Sequence, residues 1–97
     1  MNRKRLPNRR GADIHVFEYG GRNYRATFGC FANGNLAEVF LDTGKPDATI
    51  QMHADDAGVL VSLLLQNGVP PSSIRRSISG PIRRALDLWI EDISHER

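Results

Sequence analysis

One cysteine, Cys30, stands in the whole chain of 97 residues, so no internal disulfide can form and the fold must be held by its core. Long hydrophobic runs are also missing. The longest, Val59–Leu65, is interrupted by Ser62 and falls far short of the roughly 18 to 20 residues that span a bilayer. The opening Met1–Arg10 is basic with no apolar stretch behind it, so it is not expected to be a secretory signal. With a lone cysteine, this reads as a cytoplasmic protein with no membrane contact. Catalytic sets are absent too. His15, His53 and His95 are scattered, and no two have the spacing of a zinc site. Asp55 and Asp56 are helix neighbours that diverge by about 100° and do not share a proton as a catalytic pair does. Gly20, Gly21 and Gly34 are taken by hairpin turns, leaving no nucleotide-binding glycine loop. The expectation is a chain with no cofactor that does not catalyse by itself.

Acid is absent from the first ten positions, which hold Arg3, Lys4, Arg5, Arg9 and Arg10. Residues 11–97 then carry eight basic residues against eleven acids, a net charge of about −3. The high isoelectric point thus belongs to the arm. Such an arm contacts the phosphates of a nucleotide or nucleic acid, or an acidic partner, or is a solvated tail. Arg5, Arg9 and Arg10 are its candidate binding residues.

A hydrophobic content of 40% with 25% charged residues is that of a globular chain. The division is an arm over 1–10 and one domain over 11–97. Asp13–Tyr19 alternates and is rich in β formers, and Gly20-Gly21 supplies a tight hairpin turn. Asn23–Phe31 returns, Asn33-Gly34 turns again, and Leu36–Leu41 is a third strand. After the turn-rich 42–47, a helix is predicted from about Thr49 to Gln66, capped by Asn67 and Gly68. A short helix over Ser72–Ile78 follows. Ser79 is the expected N-cap of a last helix with Pro81 in its first turn and Ile82, Leu86, Trp89, Ile90 and Ile93 on one face. The fold class is α+β, a three-stranded antiparallel meander followed by two or three helices packed on one face.

Two-residue loops at both turns would pair Phe17 with Tyr24, His15 with Ala26, Phe28 with Val39, and Cys30 with Ala37. His15, Phe17, Tyr24, Ala26, Phe28, Cys30, Ala37, Val39 and Leu41 then form the core face, with Cys30 a small core residue. The opposite face, with Ile14, Val16, Arg25, Thr27, Phe31, Leu36, Glu38 and Phe40, is more apolar than a solvated face requires. Val16, Arg25, Phe31, Leu36, Glu38 and Phe40 are the candidate interface, with Arg25 and Glu38 expected to pair across strands. The first long helix carries two apolar stripes, Met52, Val59, Leu60, Leu63 and Leu64, and Ala54, Ala57, Val61 and Leu65. It is expected to be buried on two sides.

Four stretches in order carry a family resemblance. Arg5-Leu6-Pro7-Asn8-Arg9-Arg10 leads into the first strand, and Asn33-Gly34 precedes Leu36-Ala37-Glu38-Val39-Phe40-Leu41. The buried helix runs from Ala57 to the Gly68-Val69-Pro70 turn, and Ser79-Gly80-Pro81-Ile82 precedes Ala85-Leu86-Asp87. Together they resemble the TSCPD domain, found at the C-terminus of vitamin B12-dependent ribonucleoside-diphosphate reductases and as short free-standing bacterial proteins. The resemblance implies an accessory or regulatory role in deoxyribonucleotide synthesis. Radical-site cysteines and an adenosylcobalamin pocket would belong to the catalytic body, and the partner would be a ribonucleotide reductase subunit or a second copy in a homodimer. The cysteine-containing motif that names the family is not present in this chain.

Overall fold

The computed structural model describes residues 13–44 and 47–95, with side chains as far as residue 92. Strands β1 (Asp13–Tyr19), β2 (Arg22–Cys30) and β3 (Leu36–Thr43) form an antiparallel sheet in the order β1-β2-β3. Helices α1 (Ala48–Gln66), α2 (Pro71–Ser77) and α3 (Gly80–His95) follow, giving the expected α+β architecture.

The first hairpin turns on Gly20 and Gly21, with φ of 60° and 78°. Those values suit the turn whose twist matches the flanking strands, and only glycine adopts both without strain. Phe17 faces Tyr24 and His15 faces Ala26, as the alternation requires.

The second hairpin departs from expectation. Gly34 N–H donates to the Phe31 carbonyl (2.9 Å) and Phe31 N–H to the Asn35 carbonyl (2.8 Å), so the loop is Ala32-Asn33-Gly34 rather than Asn33-Gly34 alone. The extra loop residue shifts the pairing by one, and Cys30 faces Leu36 instead of Ala37. A β-bulge then restores the register: Gly29 faces Glu38, Phe28 faces Val39, and Ala37 is the surplus residue. Leu36 and Ala37 consequently turn the same way, and both are buried.

Phe28, Val39, Leu41 and Leu86 form the deepest core. The inward stripe of α3, with Ile82, Ala85, Leu86 and Trp89, covers the core face of the sheet, the Phe28 and Trp89 rings lying 5.4 Å apart. Ile93, expected on that stripe, lies outside the described side chains. Asp47 caps α1, its carboxylate accepting the Ile50 N–H at 3.1 Å. At the other end Gly68 (φ 92°) closes the helix, Gly68 N–H reaching the Leu65 carbonyl and Val69 N–H the Leu64 carbonyl. The Pro70-Pro71 pair blocks continuation and opens α2. Arg75 of α2 donates through Nε to the Asp87 carboxylate on α3, tying the short helix to the long one.

Candidate functional site

A β3 at the border of a sheet would present a row of unpaired backbone groups. Here α1 closes that row with its side chains. Gln51 donates to the Leu41 carbonyl (3.1 Å) and accepts from the Thr43 N–H (3.0 Å). The Ser62 hydroxyl accepts from the Val39 N–H (3.0 Å) and donates to the Val39 carbonyl (3.2 Å), and Gln66 donates to the Ala37 carbonyl (3.0 Å). These are alternate residues of β3, those whose polar groups point away from β2. Such close approach needs Gly58, where a Cβ would lie 2.9 Å from the Val39 carbonyl oxygen.

This docking decides which apolar stripe of α1 is covered. Ala54, Gly58, Val61, Ser62 and Leu65 are buried against the sheet and core. Met52, Val59, Leu60, Leu63 and Leu64 occupy the opposite side and are exposed, Leu60 to 62%. The expectation of a helix buried on two sides is therefore corrected: among the described residues only one stripe is covered, because β3 has a single free edge and α3 fills the core face.

The second sheet face is also open. Ile14, Val16 and Phe40 are exposed, Val16 to 70%. Ile14, Thr27 and Phe40 form one cross-strand row, and the Phe40 ring approaches within 3.5 Å of the space beside Gly58, so the row ends against the docked side of α1. Of the residues expected on this face, Val16 and Arg25 are exposed and Phe31 and Glu38 half-buried. Leu36 is not on this face: at 4% exposure it belongs to the core, placed there by the bulge at Ala37. The Arg25–Glu38 pair also fails to form among the described residues. In the observed register Arg25 stands opposite Asp42 and Glu38 opposite Gly29, and the Glu38 side chain lies over that glycine, occupying space a Cβ would need. Arg5, Arg9 and Arg10 lie outside the described residues.

The titratable groups are dispersed. Partial burial, with the Asp13 carboxylate second, pushes the Cys30 thiol above its ordinary value of 9.0, so it is protonated at neutral pH and a poor nucleophile. His15 stands 3.5 Å from Asp92, and Asp55 accepts from Gln51. Among the described residues no three His, Cys, Asp or Glu converge as metal ligands. No helix of the described residues is long and apolar enough to cross a membrane.

The apolarity of α1 is visible in its sequence, but two apolar stripes alone do not tell which one the chain covers. The signal lay in Gln51, Gly58, Ser62 and Gln66, which share one side of the helix and bring hydrogen-bonding groups and a gap to the same line.

Comparison with known proteins agrees with the resemblance in the sequence. The chain is 34% identical over 68 residues to the vitamin B12-dependent ribonucleotide reductase of Agrobacterium fabrum, covering 70% of this chain and 5% of that protein. The enzymes of the same name from Rhodopirellula baltica and Bradyrhizobium diazoefficiens are each 32% identical over 68 residues, again 70% of this chain, and 6% and 5% of their own lengths. The chain thus spans only a small fraction of these relatives. No solved structure matches it. The family model of the TSCPD domain matches residues 2–84, most of the sheet and helices described above, and the chain belongs to that family.

Proposed function

We propose that this chain is a non-catalytic accessory domain of ribonucleotide reduction that acts by docking on a vitamin B12-dependent ribonucleotide reductase. The observation that carries the reading is the row Met52, Val59, Leu60, Leu63 and Leu64, exposed on the side of α1 opposite its buried stripe. Together with Phe40, Ile14 and Val16 on the open sheet face, it offers on the order of 500 Å² of apolar surface, the size of the largest patches on soluble monomers, which are often functional. It approaches the ~800 Å² that one partner contributes to a standard interface. Covering such a face removes apolar area from water and so favours association. The dispersed titratable groups and the protonated thiol leave chemistry to the partner.

The test is titration of the chain into the purified reductase of its own source cell, followed by light scattering and calorimetry. The expected result is a defined complex that the double variant Leu60→Glu, Leu63→Glu abolishes. A reductase that gives no complex at tens of micromolar, or one that binds wild type and variant alike, would overturn the reading.

A further inference from the structure

The first half of α1, the start of α3 and the core face of the sheet leave a cleft of about 270 Å³ between them. Leu41, Ile50, Ala54, Ala57, Pro81 and Ile82 make most of its lining, and the two alanines leave the hollow where larger side chains would have filled it. An apolar cavity of ~150 Å³ already accommodates benzene, so this volume holds an aromatic ring with a short substituent.

Three polar side chains share the lining: Tyr24, His53 and Ser79. Tyr24 is only 7% exposed, yet its hydroxyl has no hydrogen-bond partner among the described residues and is not sealed from solvent. A hydroxyl that reaches solvent from so buried a side chain is free to donate to a bound acceptor. Ser79 immediately precedes α3, whose sixteen residues direct a partial positive charge toward its first turn. His53 adds a donor. Asp42, Asp55 and Asp56, the acids adjacent to lining residues in sequence, do not themselves line the cleft. The Tyr24 and Ser79 hydroxyls and the His53 ring can each donate, and with the positive end of α3 beside them and no carboxylate in the lining, the cleft suits an acceptor or an anion better than a cation.

We propose that this cleft binds a small aromatic carboxylate, its ring between α1 and Ile82 and its carboxylate accepting from the Tyr24 and Ser79 hydroxyls. The site is independent of the docking reading, since it needs neither the reductase nor the exposed stripe of α1. Phenylacetate is the probe, titrated into the full chain and followed by amide NMR, with benzylamine as its cationic counterpart. Saturable shifts confined to amides around Ile50–Ala57 and Ser79–Ile82 are expected with phenylacetate and not with benzylamine. Tyr24→Phe should weaken binding about fivefold, the effect of one hydrogen bond. Ala57→Leu should abolish it by filling the hollow, with spectral dispersion reporting that the fold is kept. Equal responses to both probes, or a Tyr24→Phe affinity equal to wild type, would overturn the assignment. So would cleft amides that respond only to the reductase, which would give the hollow to a partner side chain.

Discussion

The hydroxyl of Ser62 satisfies both backbone groups of Val39, accepting from its N–H and donating to its carbonyl. One side chain thereby closes the middle of an edge strand. Gln51 bonds the Leu41 carbonyl and the Thr43 N–H at one end and Gln66 the Ala37 carbonyl at the other, so the protein's own helix covers the border of β3 that would have invited a second chain. The choice has a consequence on the far side of α1. A helix held by a line of polar hydrogen bonds and a glycine needs few large apolar side chains for that docking, and the leucines of the opposite stripe stay exposed.

Ser62→Ala should therefore cost more than its size suggests. It removes two hydrogen bonds and leaves the Val39 N–H and carbonyl buried without partners. The expected loss is about 1–3 kcal/mol, read from the midpoint of urea unfolding at unchanged slope. A variant as stable as wild type would mean that water replaces the hydroxyl and that the edge is not sealed.

At Gly58 two effects compete. Alanine improves helix propensity by about 1 kcal/mol, but its Cβ would stand 2.9 Å from the Val39 carbonyl oxygen, and neither backbone can yield without separating α1 from β3. Crowding of this kind typically costs about 1–3 kcal/mol, so the clash should win. Gly58→Ala is expected to lower the melting temperature by several degrees, each kcal/mol being worth about 4–8 °C in a domain this size. A higher melting temperature would show that propensity had prevailed.

Strand and helix boundaries were legible because hairpin glycines, alternation and caps are local signals. The bulge was not. Leu36 and Ala37 are both apolar, so the sequence contained no polar residue to mark which of them turned inward, and a two-residue loop gave an equally clean alternation. The orientation of α1 was hidden for a related reason. Apolarity on two stripes shows that both want covering, but only the position of β3 decides which is covered within the chain. The arm residues Arg5, Arg9 and Arg10 were legible as charge alone, and charge does not name the phosphate or acid that it meets.

Cys30 links the packing of β2 to pH. Partial burial and the neighbouring Asp13 carboxylate both hold its proton more firmly in the folded chain than in the unfolded one. A group of this kind contributes its stability in full below the ordinary thiol value of 9.0 and loses it as pH rises through the folded value. The difference in unfolding free energy between wild type and Cys30→Ala should thus be constant near neutrality and shift against wild type above pH 9. Alkylation by iodoacetamide at pH 7.5 should also be slower than for a free thiol. A difference that stays flat through alkaline pH would remove burial as the controlling influence.

Leu36 and Leu60 are the two leucines whose environments the sequence pattern inverted, and together they give a sharp test of the observed arrangement. Leu36 is in the core, so Leu36→Ala should cost about 2–5 kcal/mol through lost burial and the cavity left behind. Leu60 stands in solvent, so Leu60→Ala should change stability by no more than about 0.5 kcal/mol, as surface substitutions usually do. Its effect should be on association instead, lowering the apparent mass or the affinity for the reductase at fixed concentration. If the stability losses fell in the reverse order, both the bulge at Ala37 and the docking of α1 through Gly58 would be wrong, because each places one of these leucines and neither can be moved without the other side of β3.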